Sequence, residues 1–335
     1  MYTHLIWEEL KIKAKKKKVK IVLPEASDER VLKAAGILTT NELARICVIG
    51  DEKIIEQKCK TFGFNSKKIE CINPAASSYT QKIAEHIFER RKSKGMQESE
   101  AAELAHEELY FGFGMLALGQ ADAAVAGAVH TTADTVRSAM YCLGTAPGSK
   151  IIIGIFLVET PHAKYHGLGG SFVFADCGVT PEPSARMLAR IGKQAAEAFS
   201  FYYHKDPRIA FLSFSTLGSA SHARVDRIKE AVDIAKKQFP DLNVEGELQL
   251  DAALDASIAY RKGVAKSSSV AGGANVLIFP DLDSGNITYK AVQHLGNARA
   301  IGPILWGMQK PVSDLSRGCS VDDIVYSALA VSAQC

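Results

Sequence analysis

The chain has 335 residues, 47% hydrophobic and 23% charged, with a formal net charge of +3. That length buries a large core and accommodates two domains, the composition is ordinary for a globular enzyme, and so small a charge does not argue for nucleic acid as a partner. No apolar stretch reaches the roughly 18 residues of a membrane span, and the N-terminal MYTHLIWEELKIKAKKKK lacks the apolar region of a signal peptide.

In chain order, the basic run Lys11 to Lys20 comes first. It reads as a solvated helix face leading into a strand, or as a patch for acidic partners. β-Branched runs predict strands at 19–23, 45–49, 123–126, 151–157, 171–174, 209–213, 244–248 and 276–279. Helical patterns occupy 29–38, 81–94, 132–142, 184–198 and 224–238. The alternation predicts an α/β fold around mostly parallel sheets, with ligands beyond the C-terminal strand ends. Turn-rich Gly144–Ser149 and the Gly302-Pro303 pair mark boundaries. They predict a discontinuous first domain of 1–146 plus 304–335 and an inserted second domain of 147–303.

Several turns carry candidate chemistry. Gly127 to Thr132 follows a strand and opens a helix, so Thr131 and Thr132 are either anion-binding hydroxyls or a plain N-cap. Arg137 lies on that helix, and Arg90 and Arg91 end another. Ser213 to His222 is a second hydroxyl-rich strand-to-helix turn, in which Ser215 either lines a cleft or belongs to a capped loop. His222 is expected to serve the helix start, and Asn286 to cap a helix. Seven scattered cysteines without CxxC spacing predict reduced thiols in a cytoplasm, with neither disulfides nor a zinc site. Cys177 invites an acyl-enzyme reading, but no histidine in its motif activates it.

The most informative segment is Pro311-Val312-Ser313-Asp314-Leu315-Ser316-Arg317-Gly318-Cys319, with Asp323 six residues after Arg317. Hydroxyl, guanidinium and carboxylate fall together at a predicted loop-to-helix junction, with Ser320 as the cap. The set suits acyl transfer between a thiol and phosphate; on residues alone it equally describes a capped surface helix.

This segment resembles the C-terminal signature of the phosphate acetyltransferases (phosphotransacetylases). Six further stretches follow in family order: LPEASDERVLKAA, GAVHTTADTVRSA, FADCGVTPEPSA, SFSTLGSASH, EGELQLDAA and FPDLDSGNITYKAVQHLG. The wording departs at Gly272-Gly273, His294 and Trp306. The resemblance implies two α/β/α domains with an inter-domain active-site cleft. It implies Asp323 as the base for the coenzyme A (CoA) thiol, with Ser316 and Arg317 stabilising the transition state. Arg137 and Arg91 would meet CoA or phosphate, and Cys177 would lie near the site without being the nucleophile. It further implies a homodimer with CoA as a substrate, and the direct-transfer chemistry calls for no metal. The rival readings are a butyryltransferase-like acyltransferase and a non-catalytic CoA or acetyl-phosphate binder.

Overall fold

The computed structural model describes residues 5–162, 170–264 and 268–335. The first part of the chain forms α1 (Leu5–Lys17), β1 (Lys20–Leu23), α2 (Glu29–Thr40), β2 (Arg45–Ile49), α3 (Glu52–Thr61), β3 (Ile69–Ile72), α4 (Tyr79–Arg91), α5 (Glu98–Leu104), α6 (Glu108–Ala117), β4 (Ala123–Ala126) and α7 (Thr132–Cys142). The middle forms β5 (Ile153–Glu159), β6 (Ser171–Ala175), α8 (Ala185–Tyr203), β7 (Arg208–Leu212), α9 (Ala223–Gln238), β8 (Asn243–Leu248), α10 (Leu250–Leu254), α11 (Ala256–Arg261), β9 (Val276–Ile278) and α12 (Leu282–His294). The chain closes with β10 (Arg299–Trp306), β11 (Val312–Asp314) and α13 (Val321–Gln334).

Two compact units result. One comprises the described residues up to Ile152 with Gly302–Cys335, the other Ile153–Ile301. In the discontinuous unit the strand order is β3-β2-β1-β4-β11-β10. Its pairings are parallel except that of β10 with β11. In the other unit the order is β5-β6-β9-β7-β8, and only β5 with β6 is antiparallel. The β4 sequence AAVA and the last three residues of β1, IVL, are fully buried, as strands covered by helices on both faces must be. On α1, Leu10 and Ala14 face inward while Lys15, Lys16 and Lys17 are exposed in the last turn, where cations complement the helix dipole. The basic run is thus a solvated helix end.

Two local expectations change. The signature was expected to run from loop to helix, but Val312–Asp314 is a strand paired in parallel with β4. Three residues, two of them Ser and Asp, give no strand pattern of their own. Asn286 does not cap α12, because Asp281 already does so by accepting from the Ser284 N–H at 2.9 Å. Asn286 instead sits within the helix, accepting from Lys290.

Candidate active site

In the discontinuous unit, β1, β4 and β11 are parallel neighbours, so their C-terminal ends open together, the usual ligand position in such sheets. Glu25 follows β1 and is 1% exposed. Its Oε2 accepts from the Ala128 N–H at 2.8 Å, and its Oε1 accepts from Val129 and His130 N–H, both at 2.9 Å. Oε1 also lies 2.9 Å from His130 Nδ1. These partners compensate the burial of a carboxylate. The backbone amides of this turn are therefore filled from within.

The two threonines behave similarly. Thr131 caps α7 by accepting from Asp134 N–H and donates its hydroxyl proton to Asp134 Oδ2 at 2.6 Å. Thr132 Oγ1 donates to Asp314 Oδ2. Asp314 is wholly buried, and burial pushes its pKa up to about 7 against the opposing hydrogen bond from Thr132. Thr135 is near enough to favour the charged form. Yet neither its hydroxyl nor Asp314 Oδ1 makes a hydrogen bond of good geometry. Gly127 makes this approach possible. It has φ of +97°, and a Cβ there would lie 2.1 Å from Asp314 Oδ1.

Arg30 ties this turn to the signature loop. Its Nη2 donates to Ala128 O and Asp28 Oδ2, at 2.8 and 2.7 Å. Its Nη1 donates to Arg317 O and Cys319 O, both at 2.8 Å. The Arg30 hydrogen bonds hold the Asp28 carboxyl below its ordinary pKa. A planar fork with five donors suits such a multiple staple better than Lys does.

The staple leaves the signature side chains available. Ser316 is half-buried and its Oγ accepts from the Gly318 N–H at 3.3 Å. Arg317 is exposed, and its guanidinium makes no hydrogen bond or ion pair among the described residues. Asp323 has a role that its sequence position did not reveal. It completes a capping box on α13, with Oδ2 accepting from Ser320 N–H at 2.8 Å and Ser320 Oγ at 2.9 Å. Its Oδ1 makes no hydrogen bond among the described residues.

Arg91 and Arg137 belong to one patch. The Arg91 guanidinium stacks 4.0 Å from the Tyr141 ring centroid, and Tyr141 packs edge-on against Tyr110 at 5.8 Å. Arg137, one turn before Tyr141 on α7, pairs with Asp134 at 3.1 Å and acts electrostatically on Tyr110. Arg90 donates to Tyr141 O at 3.0 Å.

The two site residues expected in the other unit are sealed. Cys177 has no exposed surface, and burial raises its thiol pKa well above the ordinary value. It packs where a Cβ on Gly285 would lie 2.9 Å from its Sγ. Ser215 is also fully buried, donating to Glu247 Oε1 at 2.9 Å and accepting from Ala220 N–H at 3.1 Å. Neither side chain presents an atom to solvent. His222 is the N-cap of α9, its Nδ1 accepting from Arg224 N–H at 3.1 Å.

Sequence reasoning missed Glu25, Arg30 and Asp314 as site-forming residues. For Glu25 the available signal was a charged residue just beyond the short apolar strand β1; Arg30, inside α2, and Asp314, at the end of Val-Ser-Asp, carried no such signal. Among the described residues no cluster of His, Cys, Asp and Glu suits a metal ion, and no helix is long and apolar enough to cross a membrane.

Known proteins resemble the chain throughout. The family profile "Phosphate acetyl/butaryl transferase" matches residues 5–332. A phosphate acetyltransferase of Thermoanaerobacterium thermosaccharolyticum is 47% identical, covering 96% of this chain and 97% of its own. That of Bacillus subtilis is 40% identical, with 95% coverage of each. The crystal structure of a phosphotransacetylase from Streptococcus pyogenes superposes with a TM-score of 0.90 at 40% identity, over 100% of this chain and 99% of that one. A branched-chain phosphotransacylase from Enterococcus faecalis, 18% identical with a TM-score of 0.67, shares the fold. With its strand-end site, its signature loop and relatives matched over nearly their whole length, the chain belongs to the phosphate acetyl/butaryl transferase family.

Proposed function

We propose that this chain interconverts acetyl-CoA plus phosphate with CoA plus acetyl phosphate, by direct attack of the CoA thiolate on the acetyl carbonyl. The observation that carries the proposal is the Arg317 guanidinium, which stands beside Ser316 and makes no hydrogen bond or ion pair among the described residues. The two sit on a loop pinned by Arg30 at the end of β11. Relatives named phosphate acetyltransferase at 40–47% identity favour the acetyl group.

A thiol ordinarily titrates near 8.5 and an Asp carboxyl near 3.9, so proton transfer to Asp323 Oδ1 accompanies C–S bond formation. Ser316 and Arg317 donate to the charge growing on the carbonyl or phosphate oxygens. Arg91 and Arg137 receive CoA phosphates, and the Thr131–Thr132 turn borders them. The reaction as written needs no metal or resident cofactor. Cytoplasmic location and a homodimer remain part of the proposal, resting on the resemblance.

The test is release of CoA thiol from acetyl-CoA with and without phosphate. Phosphate-dependent release is expected. Binding of acetyl-CoA without release would make the chain a binder, and a strong preference for butyryl-CoA would move the acyl assignment.

A further inference from the structure

In net the reaction moves one proton, from the thiol to the departing phosphate. Acetyl phosphate enters as a dianion, and breaking its C–O bond alone would expel phosphate as a trianion. That proton can be relayed by the base that took it from the thiol, or be supplied by a second group placed at the leaving oxygen, and the structure offers such a group. His130 has the geometry of such a group. Its Nδ1 is 2.9 Å from Oε1 of the buried Glu25, which is itself locked by three backbone N–H groups. Its side chain is 33% exposed, and its Nε2 makes no hydrogen bond among the described residues. A ring held at one nitrogen by a buried carboxylate, with the other left without a hydrogen bond, has a defined tautomer and a defined nitrogen for proton transfer. The turn carrying it is tied through Arg30 to the loop of Ser316 and Arg317.

We propose that His130 is a further catalytic residue, giving its Nε2 proton to the departing phosphate oxygen, and that Glu25 is its positioning residue. The inference rests on the acetyl-transfer reading above. As the C–S bond forms, the thiol proton passes to Asp323. As the C–O bond breaks, its electron pair stays on the phosphate oxygen, which takes the proton of the His130 imidazolium and leaves as hydrogen phosphate. Exchange with water returns Asp323 to the carboxylate and His130 to the imidazolium, so the thiol proton is formally the one carried away. In reverse, neutral His130 accepts the proton as hydrogen phosphate attacks acetyl-CoA.

The charges around the ring are those of one machine. Glu108, at the start of α6, places Oε1 3.7 Å from Nδ1. Burial raises its pKa and His130 lowers it. Asp134 on α7 also acts on the ring. Arg30 from α2 and Asp314 from β11 interact with the Glu25 charge.

The experiment is the pH–rate profile of wild type and His130→Gln in both directions, with thermal unfolding of each as the folding check. Wild type should lose activity at high pH when forming acetyl-CoA and at low pH when forming acetyl phosphate. His130→Gln should lose about 10²-fold or more in kcat, keep its KM values within a few-fold, and lack that pH limb. Glu25→Gln should keep the limb but shift it to lower pH, since removing a carboxylate weakens the imidazolium. A His130→Gln enzyme within threefold of wild-type kcat, or one retaining the limb, overturns the assignment. A wild type with no phosphate-dependent CoA release sinks the underlying reading instead. Should His130→Gln not fold, the wild-type enzyme is treated with diethyl pyrocarbonate and mapped by mass spectrometry. Inactivating modification of His130, blocked by acetyl phosphate, supports the role; modified enzyme that remains active refutes it.

Discussion

Two strand-to-helix turns, one in each unit, look alike in sequence and differ in what they leave exposed. Gly127–Thr132 closes its amides around the buried Glu25, and Ser213–His222 wraps Glu247, which accepts from Ser215 Oγ and from Gly218 N–H at 2.6 Å. Both turns bury a carboxylate and satisfy it with local donors. The first holds the half-buried His130 at one nitrogen and stands beside a loop whose Arg317 makes no hydrogen bond or ion pair among the described residues. The second spends the hydroxyls of Ser213, Ser215, Thr216 and Ser219 internally. Hydroxyl content therefore does not separate the two turns; what separates them is a ring held by the buried carboxylate itself in the first, whereas the exposed His222 of the second only accepts from Arg224 N–H as the cap of α9.

The largest expected effect tests the open side. Arg317→Ala should cut kcat about 10²- to 10³-fold at saturating substrate, as loss of a transition-state donor does. Arg317→Lys keeps charge but not the fork and should recover only part of the rate. Steady-state kinetics at two salt concentrations decide the matter: wild-type kcat in Arg317→Ala would remove the residue from the chemistry.

Asp323 lies on both sides of the contrast, as proposed base and as capping residue. Asp323→Asn retains an acceptor for Ser320 N–H, so it should lose most of kcat while costing little stability. Asp323→Ala should add a loss of about 1 kcal/mol for the broken cap. Equal kcat in Asn and wild-type enzymes, measured alongside melting curves, would leave Asp323 a structural role only.

The sealed turn predicts the opposite pattern. Ser215→Ala strands the Ala220 N–H and leaves Glu247 Oε1 with only the Gly218 N–H as donor, and should cost about 1–3 kcal/mol of stability. The kcat per folded enzyme should stay near wild type. A selective fall in kcat without a change in denaturation midpoint would reopen a substrate role.

Asp314 gives a pH signature. The unfolded chain releases this proton near 3.9, whereas the native state holds it to about 7. Between those values the native state binds more protons, so its stability falls as pH rises and then levels off above the native pKa. Asp314→Asn should flatten that slope in urea titrations from pH 4 to 8; an unchanged slope assigns it to other groups. The smallest effect belongs to Cys177. Its buried, high-pKa thiol should resist alkylation in native enzyme, and Cys177→Ala should retain substantial activity with no acetyl-enzyme formed on mixing with acetyl phosphate.

The patterned elements were legible because their periodicity is local. The spans 45–49, 123–126 and 132–142 appear at those bounds, and Ser320 caps α13 as its spacing suggested. Strand β3, strand β10 and the three-residue β11 were not legible. For β11, pairing to β4 supplies what its own residues do not.

The sequence by itself determined the α/β class, the order of the family's motifs, and the residue types needed for acyl transfer to phosphate. These depend on near neighbours along the chain and on chemistry that a side chain carries anywhere. Only the tertiary structure decided which of those side chains are open. Ser215 and Cys177 are sealed, Thr132 donates to Asp314, and Glu25 reaches across roughly a hundred residues to hold His130. Burial and hydrogen-bond partnership arise from contacts between segments remote in sequence, and no local pattern encodes them.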